Sequence, residues 1–74
     1  MEPKETIDIR GLIRPMPVIR LTQKMKALQS GDMLMVIASK DNKTDVYGWC
    51  QKNNVDFIEC KEEGNILKFV LKKR

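Results

Sequence analysis

The chain has 74 residues, of which 42% are hydrophobic and 32% charged, and its formal net charge is +4. This length supports one core, and the composition excludes a disordered chain. No apolar run approaches the roughly 20 residues of a membrane-spanning helix, and the polar start Met1–Thr6 lacks the apolar core of a signal peptide. We therefore expect a single domain over residues 1–74, located in the cytoplasm and without contact to a membrane.

The chain contains no histidine, which excludes imidazole-activated nucleophiles and most zinc sites. Its two cysteines, Cys50 and Cys60, lack CxxC spacing and cannot by themselves complete a tetrahedral zinc site. We expect two reduced thiols, no metal and no cofactor.

A short strand and a helix open the chain. Thr6–Ile9 alternates weakly, as strands do, and Gly11 with the Pro-Met-Pro triplet at 15–17 then enforces a turn. A helix is predicted over residues 16–29, because apolar residues recur there at helical spacing and Gly31 follows as a left-handed stop. The apolar helix positions are Val18, Leu21, Met25 and Leu28.

The middle of the chain predicts a second strand and a second helix. Met33–Ala38 is an apolar run of strand length, which is typical of a central strand. A helix is predicted over about residues 43–53, with Asp41 or Asn42 as its N-cap and Asn53-Asn54 as its left-handed exit.

The last third predicts a β-hairpin. The strands Val55–Lys61 and Ile66–Lys72 flank Glu62–Asn65, whose Gly-Asn pair favours the positive φ angles of a tight turn. The element order is therefore β-α-β-α-β-β. We expect an α+β fold, a two-layer sandwich in which two helices lie on one face of a four-stranded mixed sheet.

Several segments resemble one known family in register. Asp8–Pro17 is similar to a signature of an aspartate, a glycine three residues later, and a Cys-Pro-x-Pro that opens the first helix. Gly31-Asp32 precedes the apolar strand as in that family, and Asp45–Cys50 is similar to its Asp-Ile-Pro-Gly-Phe-Cys. Nearly the whole chain thus resembles the TusA/SirA-like sulfur carriers. Arg14 stands at the position of their cysteine.

The resemblance implies a place in sulfur relay. Proteins of the family carry a persulfide on the cysteine of the Cys-Pro-x-Pro and pass its sulfur to partner proteins, in tRNA thiolation, for molybdenum-cofactor enzymes or in sulfur oxidation. An arginine cannot carry sulfane sulfur, so the sequence leaves open whether this chain is an enzyme.

An anion or partner site is one interpretation of the helix start. Free backbone amides there would lie beside the guanidinium groups, and a phosphate would suit them. The other interpretation is that Arg14 simply projects into water, and the sequence leaves both open. The predicted anion or partner site comprises Arg10, Arg14, Pro15, Met16 and Pro17.

The two cysteines are the remaining chemical positions. Cys50 matches a cysteine often found in the family and is the alternative sulfur-handling residue. We expect it instead to be buried beside Val46 and Trp49, where apolar surroundings make a thiol unreactive. Cys60 matches no family motif, and the alternation of its strand leaves its direction ambiguous.

Three functions follow from these observations. The first is a sulfur-relay family member without the carrier step, which acts as a binding or regulatory module for another protein. The second is a sulfurtransferase that uses Cys50. The third is an RNA-binding or anion-binding module, suggested by the positive net charge and by the sheet-and-helix shape of the family.

Overall fold

The computed structural model describes residues 3–74, which form one four-stranded sheet and two α-helices. The strands are β1 (Glu5–Asp8), β2 (Met33–Ser39), β3 (Val55–Glu63) and β4 (Ile66–Lys73), and the helices are α1 (Met16–Lys26) and α2 (Lys43–Lys52). One turn of 3-10 helix, Lys40–Asn42, leads from β2 into α2. The predicted order of elements is confirmed.

The sheet is mixed, with the strand order β1-β2-β4-β3. β1 pairs in parallel with β2, and both other pairs are antiparallel. Because parallel strands cannot be joined by a tight turn, α1 supplies the crossover between β1 and β2. The apolar run that begins at Met33 is a central strand, as the sequence predicts.

Both helices cover the same face of the sheet, which confirms the two-layer α+β sandwich. On that face β2 and β4 present alternate side chains that are buried, and these belong to one core cluster with the helices. The strand residues are Leu34, Val36, Ala38, Leu67, Phe69 and Leu71, and the helix residues are Leu21, Met25, Val46, Trp49 and Cys50. The intervening β2 side chains, Met33, Met35 and Ile37, are only half-buried because no helix lies over them.

The helix ends differ slightly from the predictions. α1 ends at Lys26, three residues before the predicted end, because the backbone tightens there: the N–H of Leu28 donates to the carbonyl of Met25 at 3.2 Å. Asp32 then accepts the N–H of Gln29 at 2.8 Å. Leu28 remains in the core although it lies outside the helix.

The boundaries of α2 follow the prediction within one residue. Asn42 is its N-cap, but the Asn42 side chain turns back to Ser39 and makes no cap hydrogen bond with the helix. At the other end, Asn54 has a φ of 54°, so the left-handed exit falls on the second of the two asparagines.

The first hairpin strand extends two residues further towards the turn than predicted, to Glu63. The turn therefore has only two residues, Gly64 and Asn65. Gly64 takes the positive φ, at 62°, but Asn65 does not. A bulge between Phe57 and Glu59 shifts the register of β3 against β4. Phe57 and Cys60 therefore both pack against the core while Ile58 is exposed, which resolves the alternation that the sequence left ambiguous.

Candidate functional site

The loop between β1 and α1 begins with an ion pair between near neighbours. The Nε of Arg10 donates to both carboxylate oxygens of Asp8, at 3.0 and 3.1 Å, and its Nη2 donates to Oδ2 at 2.7 Å. These side-chain hydrogen bonds from Arg10 lower the pKa of the Asp8 carboxyl below its usual value. The same pairing raises the pKa of Arg10. The Arg10 guanidinium is thus occupied on one side by the carboxylate that precedes the loop.

Arg14 is held in a similar way, but by a carboxylate from a distant element. Its Nη2 lies 2.8 Å from Oδ1 of Asp45, and its Nε donates to Oδ2 of Asp45 at 3.2 Å. Asp45 lies in the first turn of α2, so this two-point pair ties the β1-α1 loop to the second helix. The Arg14 side chain is 76% exposed, whereas that of Asp45 is 15% exposed. The carboxylate therefore lies beneath the guanidinium.

Apolar side chains surround Arg14 at the protein surface. Ile13 is 79% exposed, which is unusual for a large aliphatic residue, and three residues of the first turn of α1 are also exposed. Pro17, by contrast, is buried and anchors the helix start in the core. We define the α1-start surface as Ile13, Arg14, Met16, Val18 and Ile19.

The start of α1 has no side-chain cap. Pro15 is its N-cap residue and makes no cap hydrogen bond, and the first turn contains no acidic residue. A helix start of this kind favours a negative charge nearby. Most of its first-turn amides are not free, however: the N–H groups of Met16 and Ile19 donate to the carbonyls of Ile13 and Pro15, at 2.9 and 3.2 Å, and Pro17 has no N–H.

A groove separates α1 from α2 next to this pair. Trp49 closes its floor by donating Nε1 to Oγ1 of Thr22 at 3.0 Å, and Thr22 donates in turn to the carbonyl of Val18 at 2.9 Å. The groove has a volume of about 320 Å³, and both Val18 and Asp45 line it. It therefore continues the α1-start surface between the helices.

Cys50 is on the core side of α2, as the sequence predicts. It is 6% exposed, and Val46 and Trp49 lie with it in the same core cluster. Desolvation by burial raises the pKa of the Cys50 thiol to about 11. Because the thiolate is the nucleophile, Cys50 is almost wholly in its unreactive form near neutral pH.

Cys60 is a free thiol on β3 that packs against the edge of the core. Its pKa is also raised, chiefly by desolvation. Residues 3–74 hold no cluster of three or more histidine, cysteine or acidic side chains that could bind a metal ion. In the same part of the chain, no helix has the length and apolar character needed to span a membrane.

Most of the predicted site residues are neighbours on one surface, but their roles differ. Arg14, Pro15 and Met16 are exposed together, while Pro17 is buried. Arg10 is directed to Asp8 and not to Arg14, so the two guanidinium groups have separate carboxylate partners. The pairing of Arg14 with Asp45 was missed, because the two residues are 31 positions apart. The sequence shows only that an arginine lies near the start of one helix and an aspartate near the start of the other, and nothing in it links the two.

The fold and this loop define a two-layer α+β domain of the SirA-like type. A SirA-like protein from Desulfitobacterium hafniense matches with a TM-score of 0.71 over 92% of this chain and 95% of that chain, at 19% sequence identity. At that identity, the likeness establishes the fold alone.

Sequence relatives establish the family. The family described as Sulfurtransferase TusA matches residues 5–73. YrkI of Bacillus subtilis (strain 168), whose name describes it as a candidate sulfur carrier protein, is 38% identical over 74 residues, which cover 99% of both chains. The sulfur carrier protein TusA of Allochromatium vinosum is 31% identical over 70 residues, which cover 93% of this chain and 92% of that protein. The chain belongs to the TusA family, and TusA proteins are sulfur-relay components that work with other proteins.

The relatives differ in length. YrkF, also from Bacillus subtilis, is 30% identical over 74 residues, but these cover only 40% of YrkF. The domain seen here therefore also occurs as part of a longer chain.

Proposed function

We propose that this chain is a TusA-family protein that does not carry sulfur itself and acts in the cytoplasm as a binding or regulatory module in sulfur transfer. The observation that carries the proposal is the two-point ion pair of Arg14 with Asp45, at the position where the family pattern has its sulfur-carrying cysteine. A guanidinium group offers donors and a permanent charge but no sulfur nucleophile. Arg14 can therefore bind an anion or a partner but cannot accept sulfane sulfur.

The alternative of a sulfurtransferase that uses Cys50 is less well supported. Sulfur transfer requires a thiolate that a partner protein can reach. Cys50 is 6% exposed and has a pKa raised to about 11, so it lacks both access and ionisation. The burial of Cys50 supports a structural role in the core.

A partner protein is a better fit to the exposed surface than RNA. The chain has four aromatic residues, and each belongs to the core or packs against it, so none forms an exposed stacking platform. The α1-start surface instead combines exposed aliphatic side chains with an arginine, a composition enriched at protein interfaces. We propose that this surface binds a sulfur-relay protein.

The test is to ask whether any residue acquires sulfur. The purified chain is incubated with a cysteine desulfurase and isotopically labelled cysteine, and the intact protein mass is then measured under non-reducing conditions. We expect no added sulfur on the folded chain, whereas the Arg14→Cys variant should gain labelled sulfur on residue 14. Labelled sulfane sulfur on Cys50 or Cys60 of the unaltered chain would overturn the proposal.

A further inference from the structure

The pairing of Arg14 with Asp45 leaves part of the guanidinium unused. Arginine has five N–H donors; the carboxylate of Asp45 accepts the one on Nε, and its other oxygen lies 2.8 Å from Nη2. The two N–H groups of Nη1 and the outer N–H of Nη2 have no part in this pair. Since the Arg14 side chain is 76% exposed, this outer edge faces solvent. It presents a parallel pair of N–H groups of the kind that binds an anion at two points.

Asp45 fixes the direction of this edge. A free arginine on a surface samples many rotamers, and binding then costs the entropy of ordering it. Here the carboxylate is 15% exposed and is part of α2, so it is a rigid base for the guanidinium. Arg14 is thus ordered before any ligand binds.

The charges around Arg14 also favour an anion. From Ile9 to Gly31 the sequence contains no acidic residue but five basic ones, namely Arg10, Arg14, Arg20, Lys24 and Lys26. Asp8, Asp45 and Glu5 pair with three of these from outside the segment. Within residues 3–74, neither Arg20 nor Lys26 has an ion-pair partner, so a net positive charge remains.

The aliphatic rim strengthens a contact at Arg14. Ile13, Met16 and Val18 are exposed beside it and would exclude water from the contact when a partner covers them. An ionic hydrogen bond inside such a rim is stronger than the same bond in water, and an arginine within an apolar ring is the usual form of an interface hot spot. The surface therefore fits a concave apolar site with a negative group at its centre.

We propose that Arg14, positioned by Asp45, binds the anionic cysteine persulfide of a sulfur-donor protein that docks on the α1-start surface. This inference rests on the proposed function and names its partner. No bond is formed or broken in the complex: the terminal sulfur stays on the donor, because Arg14 has no thiol to receive it. The chain then competes with sulfur carriers for the loaded donor and withholds it from transfer.

The experiment compares two states of one donor. A cysteine desulfurase of the host is prepared with the persulfide on its active-site cysteine, and separately with that cysteine changed to serine. The affinity of the chain for each is measured at equilibrium. We expect the persulfide form to bind about 10-fold more tightly, which is the effect of about 1.4 kcal/mol from one charge-assisted contact.

Two variants locate the contact. Arg14→Gln should abolish the preference for the persulfide form. Arg20→Gln is the matched control: it removes a nearby positive charge that has no ion pair within residues 3–74, and it should leave the preference unchanged. Thermal unfolding of each variant checks that the fold is intact.

The possible failures can be told apart. Equal affinity for the two states, or a preference that survives Arg14→Gln, would overturn the persulfide contact and leave the proposed binding function standing. Equal affinity that still falls in Arg14→Gln would mean that a carboxylate of the donor meets Arg14, which also overturns the inference. Binding to neither state would count against the proposed function itself.

Discussion

Arg14 and Cys50 are the two positions of this domain where sulfur chemistry could be sought, and their surroundings are opposite. Arg14 lies on an exposed surface that a partner can reach, but it has no atom that can carry sulfur. Cys50 has the atom, but it is 6% exposed and packed in the core. Accessibility and nucleophilicity, which a sulfur carrier must combine in one residue, are separated here between a loop and a helix.

The difference teaches that an exposed helix start and a thiol need not occur at the same position of this fold. Pro17 anchors the helix start, and no acidic side chain opposes the positive end of the helix dipole there, which would favour a thiolate. The surroundings of Cys50 act in the other direction, since desolvation raises its pKa. A thiol at residue 14 should therefore be much more reactive than the thiol of Cys50.

The largest expected effect is that of Arg14→Cys. We expect this cysteine to have a pKa no higher than the usual value of about 8.5, since the positive end of the α1 dipole, which no acidic side chain caps, stabilises a thiolate. Compared with Cys50, whose pKa is about 11, that is 2.5 units, or about 300-fold more thiolate near neutral pH. Alkylation rates of the variant, measured against pH, check this ratio.

The same variant should accept sulfur from a persulfidated desulfurase. The Asp45 carboxylate, left without Arg14, would oppose ionisation of the new thiol, so Arg14→Cys with Asp45→Asn should react at lower pH than Arg14→Cys alone. Ordinary reactivity together with no persulfide on residue 14 would mean that the loop has diverged in shape as well as in sequence.

The second prediction compares the stability of the two regions. Leu21→Ala on the buried face of α1 should reduce the free energy of unfolding by about 2–5 kcal/mol, because Leu21 is fully buried. Arg14→Gln should reduce it by less than about 1 kcal/mol, since a largely exposed ion pair contributes little. Urea denaturation followed by Trp49 fluorescence measures both. If both variants lost the same free energy of unfolding, the ion pair of Arg14 with Asp45 would serve to stabilise the fold and not to bind a partner.

The third prediction is a pH dependence of stability that comes from Cys50. Burial raises its pKa from 9.0 to about 11, so above pH 9 the unfolded chain loses this proton while the folded chain keeps it. This contribution to stability is complete below about pH 9 and is lost as the pH rises towards 11. The loss should be about 2–3 kcal/mol, two units at 1.4 kcal/mol each.

Cys50→Ala is the matched control for that measurement. Every other titratable group is the same in both proteins, so the difference between the two stability curves isolates Cys50. Parallel curves between pH 9 and 11 would show that Cys50 ionises as easily in the folded chain as in the unfolded one, and would reopen its role as a sulfur acceptor.

Local patterns were sufficient to predict most of the fold. The helical spacing of Leu21 and Met25, the apolar strand from Met33 and the glycine-containing turn at Gly64 each concern residues a few positions apart, where backbone geometry sets the period. The errors also have local causes, such as the tight turn at Leu28 that ends α1 early. The burial of Cys50 followed from its place on the apolar side of α2.

By itself, the sequence determined the order of elements, the apolar faces that form the core, and the family pattern with an arginine at residue 14. The tertiary structure alone decided that Asp45 lies beneath Arg14 and directs the outer edge of its guanidinium into solvent. It also decided, through the bulge in β3, that Phe57 and Cys60 face the same side. Periodicity reports contacts along one element, whereas these features depend on how the loop, the second helix and the hairpin meet in space.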